Sequence, residues 1–280
     1  MRSMLSHQLD SPRVDYNKPY LLVTMAGRGQ RYKDAGYKEP KPFVPVLGKP
    51  IIQRLLDLFP IDWPSVFVFN NVDYEKKHLD QVREFRKAHQ FENSHVQLTS
   101  IDVNTSGPMK TVMAGVELVA DQAPVMVTYC DYGMVWNPQE FLDFTKHNDS
   151  DIIFISYKGF HAHYLSSNMY CYTKTDGIRV LDIKEKESFS PNREDDYAST
   201  GAYFFKSAAL LKQALAEQKL QGLNWHGEYF TSLAIKALMN VRQDLKIHVY
   251  EINKFFQWGT PEDLKAFEYW AEVDYANFKK

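Results

Sequence analysis

A chain of 280 residues with 44% hydrophobic and 14% aromatic content can bury roughly three quarters of the surface its unfolded form exposes, so it needs no staples and one large domain is expected. The formal net charge is −2 and the two signs are interspersed, which excludes the long-range field that extended nucleic-acid binding or docking on an anionic membrane would need. The two cysteines, Cys130 and Cys171, sit in apolar, strand-like segments without CxxC spacing, a pattern of buried inert thiols rather than of a disulfide framework or a zinc site.

Residues 1–19 read as a polar lead-in, either disordered or an arm for a neighbouring subunit, without the apolar core of a signal peptide. No apolar run approaches the roughly 20 residues of a membrane helix, so a cytoplasmic location is expected. Tyr20–Met25 is a short β-branched apolar run that stops at Gly27 and Gly29, a buried strand entering a tight loop. Similar runs recur at Val66–Phe69, Val96–Thr99, Val125–Tyr129 and Ile152–Ser156. Helical periodicity fills the gaps at Ile51–Phe59, Tyr74–His89, Met109–Val119 and Pro138–His147. This alternation predicts an α/β fold of Rossmann-like type, a mixed, mainly parallel sheet with helices on both faces.

Beyond residue 157 the rhythm changes. Met169–Thr173 and Ile178–Ile183 flank Thr175-Asp176-Gly177, a hairpin signal. A strand at Ala202–Phe205 and helices near 207–218 and 227–240 follow. Thr260-Pro261-Glu262-Asp263 then opens a last helix with an N-cap Thr, a Pro at N1 and acids in the first turn. The expected layout is one domain over 20–280, with a nucleotide-binding half (20–150) and an acceptor-binding half (151–280).

In an open α/β sheet, ligands sit beyond the carboxyl ends of the strands and the first strand-to-helix loop commonly seats phosphate. Here that loop is Ala26-Gly27-Arg28-Gly29-Gln30-Arg31-Tyr32. Its glycines let backbone N–H groups close on a polyphosphate, and Arg31 and Lys41 can supply cations. Tyr32 occupies the place of the third glycine in a dinucleotide fingerprint, and no GxxxxGK[ST] occurs.

The stretch AGRGQRYKDAGYKEPKPFVPVLGKPII, with its GxGxR loop, PKP segment and GKP, resembles the signature of the sugar-phosphate nucleotidylyltransferases. The AGYxxPKP spacer is similar to a bacterial branch associated with surface polysaccharides. The resemblance continues in Tyr129-Cys130-Asp131-Tyr132, in Ile183-Lys184-Glu185-Lys186, in Ser199-Thr200-Gly201-Ala202-Tyr203, in His226-Gly227-Glu228-Tyr229-Phe230 and in Phe256-Gln257-Trp258-Gly259-Thr260-Pro261. It implies that Arg31 and Lys41 bind the triphosphate and that Asp131 holds Mg²⁺. It further implies that Glu185, Lys186 and Gly201 hold the acceptor. Glu228 either binds the acceptor or begins a helix, and Trp258 either lines the acceptor site or packs as core. Gly107 and Thr111, in Asn104-Thr105-Ser106-Gly107-Pro108-Met109-Lys110-Thr111, fall where relatives recognise the base, a segment that equally suits plain helix capping.

One departure stands out: many relatives carry a second metal-binding Asp where this chain has Gln257. His161 and His163, one residue apart in the loop Gly159–Ser167, resemble a metal pair only weakly; a solvated loop is the expected reading, and their position over the expected acceptor pocket keeps a phosphate-binding role open. The implied reaction transfers a nucleoside monophosphate from CTP, UTP, GTP or dTTP to a sugar 1-phosphate, with Mg²⁺ and release of pyrophosphate; the family often assembles as homo-oligomers. A non-sugar phosphorylated acceptor with CTP is a close rival. A noncatalytic nucleotide-sugar sensor is disfavoured because Arg31, Lys41 and Asp131 are all present, and a glycosyltransferase because no strand ends in DxD.

Overall fold

A computed structural model describes residues 18–87, 96–103, 105–161, 164 and 170–278, with side chains through residue 272. Most of the lead-in, together with His89, Asn104, His163 and Met169, lies outside the described residues. The chain runs β1 (Tyr20–Met25), α1 (Gln30–Asp34), β2 (Pro45–Val46), β3 (Lys49–Pro50), α2 (Ile51–Leu56), β4 (Ser65–Asn70), α3 (Lys76–Phe85), β5 (Val96–Ile101) and α4 (Met109–Val116). It continues through β6 (Val125–Tyr129), β7 (Tyr132–Val135), α5 (Pro138–His147), β8 (Ile152–Tyr157), β9 (Cys171–Asp176), β10 (Arg179–Glu185) and β11 (Tyr197–Phe205). The last elements are α6 (Ala208–Gln221), α7 (Thr231–Val241), β12 (Ile247–Glu251), β13 (Lys254–Gln257) and α8 (Pro261–Phe278).

A nine-stranded sheet in the order β5-β4-β1-β6-β11-β8-β12-β10-β9 forms the middle layer. The first four strands are parallel, in the register Leu22↔Val66 and Leu22↔Val127. Alternate residues of β1 face opposite cores, which is why its run is apolar but for Thr24, whose hydroxyl donates to the Thr128 carbonyl at 3.3 Å. Tyr20 and Leu22 join Val112, Val116, Leu211, Ile235 and Leu238, the layer of α4, α6 and α7. Leu21, Val23 and Met25 join Ile52, Leu55, Val82 and Phe141, the layer of α2, α3 and α5. The α/β fold with helices on both faces is thus observed, and among the described residues no helix is long and apolar enough to cross a membrane.

The interior of the sheet differs from simple alternation. β11 enters antiparallel between β6 and β8, so β8 keeps the direction of the first strands without touching them. The predicted hairpin is present as β9 and β10, joined at Gly177 with φ 55°. β12, β13 and β7 escape the sequence reading because they are short or carry charged residues. The helix predicted from 227 starts at Thr231, because His226 (φ 47°) and Gly227 (φ 84°) adopt left-handed backbone that an α-helix excludes. The last helix begins as predicted: Thr260 Oγ1 accepts the Asp263 N–H at 3.1 Å.

Candidate active site

A cleft of roughly 510 Å³ opens at the carboxyl ends of β1 and β6. Its floor is the loop after β1, where Ala26, Gly27, Arg28, Gly29 and Arg31 all line the space, and Lys41 and Asp131 face it from two other segments. The loop is anchored from below by Asn70, buried at the end of β4, whose Nδ2 donates to the Gly27 carbonyl at 3.4 Å. A Cβ at Gly27 would meet nothing within 4 Å, so its surroundings are open, whereas Gly29 combines φ 60° with a Lys41 Cβ 3.1 Å away. Only glycine satisfies Gly29's geometry without strain. Arg28 and Arg31 are exposed on the rim.

Lys41 Nζ lies 2.5 Å from Asp131 Oδ2, with both side chains largely withdrawn from solvent. Asp131 sits between β6 and β7 and is fixed by its own carbonyl, which accepts the Trp258 N–H at 2.9 Å. Tyr32, under the Lys41 ammonium, donates its hydroxyl to the Trp258 carbonyl at 2.7 Å; burial, and then Asp131, pushes its ionisation far upward. Cys130 also lines the cleft. Burial and the neighbouring carboxylate push its thiol up to about 12, so it is protonated and a poor nucleophile near neutral pH.

The opposite wall is the segment before α4. Thr105, Gly107, Pro108 and Thr111 line it. Gly107 has φ 84°, and a Cβ there would press on the Tyr229 backbone at 2.6 Å. That close approach is stitched by Tyr229 N–H to the Ser106 carbonyl (2.9 Å) and Met109 N–H to the Tyr229 carbonyl (3.1 Å). Glu228 and Phe230 reach the same cleft.

Glu185 and Lys186 adjoin this wall without lining the cleft itself. Lys186 Nζ is 3.6 Å from Glu185 Oε1 and 4.6 Å from the Phe230 ring centroid, on a backbone with φ 65°. The Glu185 carboxylate accepts the Ser232 hydroxyl; burial nonetheless holds it above the ordinary carboxylate range, against the pull of Lys186. Gly201 lies in β11 with φ 89°, directly against the ring of Tyr129, another cleft residue.

Two residues are more buried than a ligand-facing or solvated place would make them. Trp258, expected either to line the acceptor site or to pack as core, is 3% exposed and packs with Tyr32, Val44, Ile51 and Leu264 over Gly133. Pairing of β13 with β7 brings Gln257 toward Asp131, and Trp258 joins the core. His161 is half buried against Tyr157, with centroids 4.6 Å apart, rather than solvated, and burial lowers its affinity for a proton. Tyr74, Tyr129 and Phe230 also line the cleft; aromatic residues in apolar sequence look like core, so residue identity alone gives them no ligand-facing role.

The donors for a metal are sparse. Among the described residues no three His, Cys, Asp or Glu side chains converge as a cage. The Asp131 carboxylate stands near the Gln257 amide: a Cβ on Gly259 would press on that amide and lie 3.4 Å from Asp131 Oδ2. The Asp131 carboxylate beside an open, cation-lined space fits Mg²⁺, which keeps several waters and takes phosphate oxygens as ligands, better than zinc, which needs a closed set.

A doubly covered α/β sheet with a glycine loop, cations and a strand-end carboxylate in one cleft defines a nucleotide-binding enzyme of phosphoryl-transfer type. The chain belongs to the nucleotidyl transferase family, whose model it matches over residues 21–271, and it is a nucleotidyltransferase. No curated protein sequence matches it. Among solved structures it is similar to a nucleoside-diphosphate-sugar pyrophosphorylase from Vibrio cholerae RC9, at 22% identity and a TM-score of 0.71, over 89% of this chain and 99% of that one. It is also similar to a UDP-glucose pyrophosphorylase complexed with UDP-glucose (15% identity, TM-score 0.67, 92% of this chain and 99% of that one). A third is a UTP-bound UGPase from Acinetobacter baumannii (14%, TM-score 0.64, 92% and 94%).

Proposed function

We propose that the protein transfers a nucleoside monophosphate from an NTP to a sugar 1-phosphate in the cytoplasm and releases pyrophosphate. The product is an activated sugar for capsule or another surface polysaccharide. The observation that carries this reading is the convergence of Arg31, Lys41 and Asp131 with the Gly27–Gly29 loop on one cleft. The sugar is favoured because structural neighbours include sugar-nucleotide pyrophosphorylases, and the polysaccharide role rests on the AGYxxPKP spacer alone.

In this reading the acceptor's phosphate oxygen forms a bond to the α-phosphorus while the bond to the β-phosphate oxygen breaks, so negative charge grows on non-bridging and leaving oxygens. Arg28 and Arg31 on the rim and Lys41 inside the cleft stabilise that charge where it develops, a contribution worth ~10²–10³ in turnover for one such contact. Asp131 would hold Mg²⁺, which when bound would offset triphosphate charge. Lys41, paired with Asp131, is already desolvated and aimed. Gly107 and Thr111 contact the base, and Glu185, Lys186 and Glu228, with Gly201 under Tyr129, shape the acceptor side. No side chain has to act as nucleophile.

The test is pyrophosphate release across the four NTPs and a panel of phosphorylated acceptors with Mg²⁺. Turnover is expected for a sugar 1-phosphate. Turnover only with CTP and a phosphorylated alcohol, amino acid or phosphonate would move the assignment to that acceptor class, and silence throughout would point to a sensor. Asp131→Asn is expected to abolish turnover with an unchanged circular dichroism spectrum; full retained activity would remove Asp131 from the metal role.

A further inference from the structure

Lys41 does not belong to a regular element. It stands in the connection between α1 and β2, in a single 3-10 turn over Lys41–Phe43, so its aim depends on what ties that connection down. Two residues before it, Glu39 reaches across to the start of α3. Its Oε2 accepts from His78 Nε2 at 2.8 Å and its Oε1 from Lys77 Nζ at 3.2 Å. The Lys77 contact is an exposed ion pair of the kind that contributes little. The His78 contact is different, because that ring is only 2% exposed.

The tautomer of His78 follows from its partners. Nδ1 accepts the Glu75 backbone N–H at 3.0 Å, so it carries a lone pair, and the ring proton sits on Nε2, pointed at Glu39. One neutral imidazole therefore satisfies the opening turn of α3 and holds the Lys41 connection. The same ring packs 4.6 Å from Phe43, on the far side of Lys41, and 6.1 Å from Tyr74. Tyr74 in turn donates its hydroxyl to the Met25 carbonyl at the end of β1, at 2.7 Å. Pro40 and Pro42 flank Lys41, and their rings fix φ, so a restraint at Glu39 passes along the chain with little slack. A parallel tie holds the front of the connection, where Lys33 pairs with Asp73 at 2.5 Å and Asp73 accepts from Asn70, the anchor of Gly27.

We infer that Glu39 is a positioning residue for the transfer reaction, fixing the aim of Lys41 by anchoring its connection on the buried His78. The inference rests on the reading of Lys41 as a triphosphate-binding cation, and its experiment separates the two. Glu39→Ala leaves the buried Nε2–H without its acceptor, whereas Glu39→Gln keeps an oxygen acceptor and loses only the charge. Hydrogen exchange at the Phe43 and Val44 amides, which bond to the Pro40 and Lys41 carbonyls, is expected to speed by ~10-fold or more in Glu39→Ala and to stay near wild type in Glu39→Gln. In turnover, Glu39→Ala is expected to lower kcat by ~10-fold, as for a displaced transition-state contact, with the acceptor KM unchanged and most of the rate restored in Glu39→Gln. In a Lys41→Ala background the same change is expected to cost less than ~2-fold, because the residue it aims is gone.

Unchanged exchange at Phe43 and Val44 in Glu39→Ala, or a loss that simply multiplies in the Lys41→Ala background, would overturn the inference. A wild-type protein that transfers nothing to any acceptor would sink the reaction proposed above, while the exchange measurement would still decide whether Glu39 holds the connection.

Discussion

Glu185 places a carboxylate where the protein would be more stable without its charge. Burial raises its proton affinity above the ordinary value, with Lys186 and Ser232 opposing. A folded-state pKa above the unfolded one means that its favourable term is complete below the unfolded value, about 4.3, and is lost as pH rises through the folded value. Glu185→Gln is therefore expected to raise Tm relative to wild type at pH 8 and to differ less at pH 5, while it raises KM for the acceptor; thermal scans and kinetics on one preparation check both. A Tm difference independent of pH would show that the carboxylate is not under strain. At this scale the sequence was informative for charged residues and glycines, which punctuate apolar runs: Arg31, Lys41 and Asp131 could be singled out and share one cleft. Trp258 could not be oriented from sequence, because an aromatic residue beside a loop serves a core or a cleft with the same chemistry, and only the pairing of β13 with β7 decides.

Among the elements, β11 carries a special constraint. Its register shifts between Ser199 and Ala202, and Gly201 at that irregularity has φ 89° with the Tyr129 ring where a Cβ would go. Gly201→Ala is expected to cost ~2–4 kcal/mol, from left-handed backbone plus overpacking, and to raise KM by tilting Tyr129 into the cleft. Denaturant unfolding with steady-state kinetics measures both effects; a loss below about 0.5 kcal/mol would mean that Tyr129 moves aside freely. Strands buried on both faces were readable because all but one position of each is apolar, the exceptions being Thr24 and Thr128, and β1 and β6 coincide with their predicted limits. Helix ends were readable where a cap is spelled out, as at Thr260. Where backbone geometry alone stops an element, as at His226 and Gly227, residue identity carries a weaker signal.

For the whole molecule, the division at residue 150 is one of expected role and not of packing, since a single sheet runs from β5 to β9 and both cores cross the division. Thermal unfolding is expected to show one cooperative transition, the same by far-UV circular dichroism and by tryptophan fluorescence; two separated transitions would mean that the halves are independent units. The order of that sheet was not legible beforehand, because the strand that joins the halves arrives late in the chain and its pairing with β6 and β8 is a long-range choice. That lateness matters during synthesis. Until Tyr197–Phe205 emerges from the ribosome, β6 has β1 on one side and bare N–H and C=O groups on the other, an apolar edge that invites intermolecular pairing. The newborn chain thus carries an adhesive flank while residues 130–205 are being made, a hazard of synthesis that the finished fold no longer has.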